Sequence, residues 1–178
     1  MQVFAKALQG ETDEEIEAGL HDGAYKSKQA SLFEQQLDLA IELGLNVVIH
    51  QRDAWDNTLE IIRPYSGKLR GVFHCFGGTP AQAEEVIALG HLVSFTGIVT
   101  FKNGAAVREI AMHLSLGSFM VETDCPYLAP VPFRGKRCEP AHTRLVADSI
   151  ASARGLALEE IAQTTTATAE NFFRFNRA

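Results

Sequence analysis

The chain has 178 residues, 46% of them hydrophobic and 21% charged, with a formal net charge of −6. This composition fits one ordinary globular domain and excludes a disordered chain. No apolar run reaches the roughly 18–20 residues of a membrane span, and an overall acidic chain grips nucleic acid only through a local basic patch or bound cations.

Met1 to Gly10 carries one Lys in a short mixed stretch, without the long apolar core of a signal peptide. Glu11-Thr12-Asp13-Glu14-Glu15-Ile16 reads as a capped acidic helix. Gln29 to Leu43 places Phe33, Leu37, Ala40 and Ile41 on one helical face and stops before Gly44, a residue suited to the C-terminal cap. Four apolar runs follow: Asn46–His50, Gly71–His74, Leu92–Thr96 and Ser118–Glu122. They are rich in β-branched and aromatic residues and bounded by Gly or polar residues, as strands buried on both faces of a parallel sheet are.

Between them, Thr79-Pro80-Ala81-Gln82 predicts a capping box with Pro at the first helical position, and Gly90 ends that helix. Pro140 opens a helix toward Gly155, and Leu156 to Phe173 reads as one or two closing helices. Repeated strand–helix units make parallel sheets. Four in a row point to a doubly wound sheet or a (β/α) barrel, and a full barrel takes about 250 residues. No linker divides the chain, so residues 1–178 read as a single domain.

Chemistry in such folds gathers at the C-terminal ends of the strands. His50 closes the first strand, His74 closes the second and Asp124 follows the fourth. Two imidazoles and a carboxylate so placed suit a divalent catalytic cation. Equally, a His at a strand end is often a hydrogen-bonded structural residue, and an Asp after a strand is often a helix cap. Spacing alone leaves both open.

Arg134, Lys136 and Arg137 follow the proline-rich Pro130–Phe133. They can bind phosphate oxygens or form a solvated charge cluster. Arg52 and Asp53, just past His50, can orient the site or cap the next helix, and the cap is the favoured reading. Cys75 and Cys125 each neighbour a candidate ligand and read as small packing residues, since adjacent strand residues point opposite ways. With Cys138 they make three cysteines without CxxC spacing, which suggests neither a disulfide framework nor a zinc knuckle and points to a reducing cytoplasm.

The stretches Val48–Ala54, Phe73–Gly78, Gly97–Lys102, Glu122–Pro130 and Arg134–Ala141 together resemble the TatD family of metal-dependent deoxyribonucleases, over residues 29–178. The resemblance implies a TIM-type (β/α) barrel hydrolase that cuts phosphodiester bonds in DNA with one or two divalent ions, Mg, Mn or Zn. It implies His50 and His74 as metal ligands and Asp124 as the metal-binding carboxylate that helps to activate water. Two family elements are missing. No His-x-His pair occurs, and Glu17-Ala18-Gly19-Leu20 only faintly echoes the Glu-x-Gly-Leu-Asp that carries a bridging Glu. The expectation is therefore an incomplete barrel lacking its first strands, from an N-terminally truncated chain. Its function is then a DNA hydrolase, an impaired remnant serving as a binding or folding partner, or a hydrolase of a small amide or ester.

Overall fold

The computed structural model describes residues 23–174. The acidic helix expected before them, and Glu17 just after it, lie outside the described residues. The chain runs α1 (Gly23–Glu42), β1 (Val47–Ile49), α2 (Trp55–Ile62), β2 (Gly71–Phe73), α3 (Pro80–Ala88), β3 (Leu92–Phe95), α4 (Ala105–His113), β4 (Phe119–Val121), α5 (Thr143–Arg154) and α6 (Leu158–Phe173), with short 3-10 turns at Arg63–Tyr65, Gly97–Thr100 and Pro140–His142.

The four strands form one parallel sheet in the order β1-β2-β3-β4. Strands that are neighbours in both sequence and space, each followed by a helix, make an arc of a TIM-type barrel. The doubly wound alternative, which reverses strand order at a switch point, does not hold.

Period-two alternation sorts the strand residues onto two faces. Ile49, Phe73, Val93, Phe95 and Phe119 face outward into the main core, where they pack with Leu59, Ile62, Val86, Ile110, Val146, Ile150 and Ile161 of the helices. Val72, Leu92 and Met120 point the other way and pack against Phe172 of α6. Asn46 donates through Nδ2 to the Phe172 carbonyl, and Arg174 donates to the Gly44 carbonyl at 2.7 Å, so the end of α6 is fastened beside the start of β1. The lower layer of the inner face is thus filled by an aromatic ring. The upper layer is left to polar side chains.

The Thr79 capping box forms as expected, with Gln82 N–H donating to Thr79 Oγ1 and Thr79 N–H to Gln82 Oε1. Gly155 caps α5 with a left-handed φ of 66°. Three expectations need correction. The first described helix begins at Gly23 rather than Gln29. Pro140 opens a 3-10 turn that leads into α5 at Thr143. Neither Arg52 nor Asp53 caps α2, whose N-cap is Ala54 with no side-chain cap bond of its own. Instead the Gln51 amide, with its oxygen turned toward the helix, accepts from the Ala54 and Trp55 N–H groups, both at 3.0 Å.

Candidate metal centre

The inner-face upper layer begins one residue beyond β1, β2 and β4 and takes in Ser94 within β3. Ile49 pairs with Phe73, Phe73 with Val93 and Phe95 with Val121, all facing the helices. The next residue therefore turns inward, which places His50, His74 and Glu122 on one side, with Ser94 beside them. Backbone bonds from His74 N–H to the Ile49 carbonyl (2.9 Å) and from Glu122 N–H to the Phe95 carbonyl (3.0 Å) carry the ladder to these positions.

His74 is the centre of the cluster. Its Nδ1 lies 2.9 Å from Glu122 Oε1 and its Nε2 3.3 Å from Asp124 Oδ1. The His50 ring sits beside it, with 4.4 Å between ring centroids. The structure thus brings together all three candidate ligands named from the sequence.

Glu122 was not among them, and it organises the others. Its Oε1 also accepts from the Cys75 backbone N–H at 2.8 Å and from Ser94 Oγ–H at 2.6 Å. Cys75 adopts a left-handed φ of 50°, turning the chain directly after His74 so that this N–H reaches the carboxylate. Alternation along β4 held the clue: with Phe119 and Val121 facing the helices, a carboxylate at 122 had to face the histidines.

The charges respond to this packing. The Glu122 hydrogen bond comes first among the causes that raise the His74 pKa above its ordinary value, outweighing burial. For Glu122, burial is the largest influence and pushes its pKa up, yet the bonds from His74, Ser94 and Cys75 N–H together outweigh it and the net shift is down. Burial, then the neighbouring His74, lowers His50 and favours its neutral form.

The donor chemistry fits a divalent cation. Two ligands at ~2.0–2.2 Å from one ion, roughly at right or tetrahedral angles, stand about 3–3.6 Å apart. The 3.3 Å between His74 Nε2 and Asp124 Oδ1 falls in that range. A metal-ligating His commonly gives its other nitrogen to a carboxylate, and Glu122 stands at that position beside His74 Nδ1. The donor count is smaller than the fit of the pair: among the described residues, no set of three or more His, Cys, Asp or Glu side chains stands in position to hold an ion by itself.

The basic loop is exposed and tied to aromatic rings. The Arg134 guanidinium lies 3.7 Å from the Phe101 ring centroid, and Lys136 Nζ 5.9 Å from that of Phe133. Among the described residues, none of Arg134, Lys136 and Arg137 makes a hydrogen bond or ion pair with His50, His74, Glu122 or Asp124. Gly97 sets the path of the preceding turn, because a Cβ there would stand 2.1 Å from the Leu128 carbonyl oxygen. Cys75 is half-buried, with Sγ 3.2 Å from Thr96 Oγ1, whereas Cys125 is exposed rather than a packing residue. It lies in the loop beyond β4, where strand alternation no longer applies.

The model of the TatD related DNase family matches residues 16–174. The chain belongs to the TatD family. It is 38% identical over 156 residues to the uncharacterized metal-dependent hydrolase YabD of Bacillus subtilis (strain 168), covering 87% of this chain and 61% of that protein. It is 33% identical over 152 residues to the 3'-5' ssDNA/RNA exonuclease TatD of Klebsiella pneumoniae (strain 342), covering 82% and 58%. The crystal structure of YjjV, a TatD homolog from Escherichia coli K12, superposes with a TM-score of 0.79 at 26% identity, covering 88% of this chain and 61% of that one. The chain thus spans about three-fifths of the length of these relatives. No helix among the described residues is long and apolar enough to cross a membrane.

Proposed function

We propose that this TatD-family chain carries the His50, His74 and Asp124 side of a divalent-metal centre that hydrolyses phosphodiester bonds in DNA, working from strand ends in a reducing cytoplasm. The observation that carries the reading is His74, held through Nδ1 by Glu122 and presenting Nε2 to Asp124 at ligand spacing. When bound, a divalent ion (Mg, Mn or Zn, one or two) supplies Lewis acidity toward a phosphoryl oxygen and lowers the pKa of water at the site. Asp124 orients that water and takes its proton. Glu122 fixes the His74 tautomer so that Nε2 keeps its lone pair for the ion. His50, whose neutral form burial favours, offers a second imidazole. Arg134, Lys136 and Arg137, exposed on the loop after Asp124, supply the local positive charge that an acidic chain otherwise lacks and meet the negatively charged phosphate backbone.

A second reading, a catalytically impaired binding or folding partner, is favoured by the absence of any His-x-His pair in the chain and by the incomplete donor set among the described residues. One experiment separates them. Titrating the protein with Mn²⁺ or Zn²⁺ by calorimetry, then following cleavage of end-labelled single-stranded DNA with and without chelator, gives chelator-sensitive cleavage under the first reading. Under the second it gives weak ion binding and no cleavage above a D124A background.

A further inference from the structure

The loop after β4 leaves the metal site at Asp124, travels out through Tyr127 and Arg134, and returns. On its return Cys138 N–H donates to the Pro126 carbonyl at 2.9 Å, which lays Cys138 alongside the Cys125–Pro126 segment. That bond sets Cys138 against the residue next to Cys125, so the two cysteines stand on facing arms of the loop, and burial first, then the Cys125 thiol, pushes the Cys138 thiol pKa up. They differ in access: Cys125 is exposed and Cys138 is buried. Cys125 also donates through Sγ to Thr123 Oγ1 at 3.1 Å, and the Cys138 thiol faces the Glu139 carbonyl at 3.9 Å. The middle of the loop is held in place independently of the thiols. Val131 N–H donates to Thr100 Oγ1 at 2.9 Å, and the Arg134 guanidinium lies 3.7 Å from the Phe101 ring centroid. The third cysteine, Cys75, is engaged with Thr96 instead.

Two thiols held side by side across a fixed loop, one reachable by solvent and one shielded, form a vicinal pair for two-electron oxidation. We propose that Cys125 and Cys138 are a modification site that closes to a reversible intrachain disulfide, fastening the turn after Asp124 to the return arm of the basic loop. With hydrogen peroxide as oxidant, the Cys125 sulfur attacks one peroxide oxygen, the O–O bond breaks, and a sulfenic acid forms as one water leaves. The Cys138 sulfur then displaces the sulfenic oxygen, which leaves as a second water while the S–S bond forms. Two thiols lose two electrons and two protons, and one peroxide becomes two waters. A dithiol reductant reverses the bridge through a mixed disulfide. The inference does not depend on the proposed hydrolytic function, because its readout is the covalent state of the chain.

The test uses the full chain, reduced and then treated with stoichiometric peroxide. Intact mass under denaturing conditions falls by two hydrogens, free thiols fall from the three cysteines of the sequence to one, and dithiothreitol restores both. Trypsin cuts between the two cysteines at Arg134, Lys136 and Arg137, so the oxidised digest joins peptide 109–134 to peptide 138–144. Closing this short loop raises the melting temperature by about 5 °C or more relative to the reduced chain. C125S and C138S each abolish the linked peptide, and C75S leaves it intact. C125S changes an exposed position, so it carries the test even where C138S disturbs the fold. A covalent dimer through Cys125, a bridge that includes Cys75, a sulfinic acid at Cys125 without the linked peptide, or a lower melting temperature on oxidation overturns the proposal.

Discussion

Replacing Glu122 by Gln probes the core of the site while conserving its volume. The carboxylate Oε1 accepts three bonds, from His74 Nδ1 at 2.9 Å, Cys75 N–H at 2.8 Å and Ser94 Oγ–H at 2.6 Å. A Gln oxygen retains part of this set but loses the charge, and its NH₂ group meets donors wherever it faces the cluster. A hydrogen bond to a charged group contributes about 1.5–3 kcal/mol, and one partly satisfied donor costs about 1–3 kcal/mol. Glu122 is partly open to solvent, so the expected loss of stability is at the lower end, about 1–2 kcal/mol in urea unfolding. The effect on the ion is larger in proportion: losing the carboxylate behind a ligating His lowers metal affinity about 10–100-fold. Calorimetry with Zn²⁺ or Mn²⁺ measures that loss, and nitrogen-15 NMR of the imidazoles reads the tautomer. In the wild type His74 carries its proton on Nδ1; in E122Q that preference weakens, and E122D restores part of it. An E122Q protein with the same His74 tautomer and undiminished ion affinity would refute the claim that Glu122 positions this ligand.

Other perturbations give separate outcomes. D124N lowers metal-dependent cleavage of single-stranded DNA by at least about 100-fold while leaving the melting temperature nearly unchanged, since the aspartate carries ligand and proton-acceptor roles that Asn cannot fill. Combined R134A/R137A weakens DNA binding uniformly across sequences and flattens its salt dependence, measured by fluorescence anisotropy at several ionic strengths. G97A destabilises the chain by about 1–3 kcal/mol and displaces the 128–130 turn, because its Cβ would meet the Leu128 carbonyl oxygen at 2.1 Å; unfolding curves and amide hydrogen exchange of that turn report both effects. His91 is buried, its Nδ1 accepts from Gly71 N–H at 3.0 Å, and burial first, then the Arg70 charge, lowers its pKa from 6.5. The folded state therefore resists a proton that the unfolded chain takes up. This contribution to stability is fully present above pH 6.5 and is lost as the pH falls from there toward the depressed folded value. H91Q removes that part of the pH dependence, so wild type and variant converge in stability as the pH drops from 7 to 5.

Much of the fold was legible because local chemistry and tertiary packing agreed. Continuous apolar runs at 46–50, 71–74, 92–96 and 118–122 became parallel strands, since a strand covered on both faces needs apolar residues on both. The Thr79 box and the Gly44 cap were legible for the same reason: each satisfies orphan backbone groups within a few residues of sequence. His50, His74 and Asp124 could be named as candidates from strand ends and family motifs. Their convergence depends on strand order and register, which only pairing across some 70 residues of chain decides. Glu122 escaped notice because its role exists only when β2, β3 and β4 stand side by side, bringing His74, Cys75 N–H and Ser94 to one oxygen. Arg52 and Asp53 looked like caps by composition, but the turn after β1 gave the helix end to Gln51, whose longer side chain reaches back to the Ala54 and Trp55 N–H groups. The Cys125–Cys138 pair shows the same limit most plainly. Twelve residues separate the two thiols in sequence, and only the return of the loop onto Pro126 makes them neighbours. The sequence by itself determined the strands, the Thr79 capping box and the family motifs, because those depend on side-chain type and local spacing. The tertiary structure decided which groups meet, as Glu122 meets His74, Ser94 and the Cys75 N–H, because that depends on distances the chain acquires only by folding.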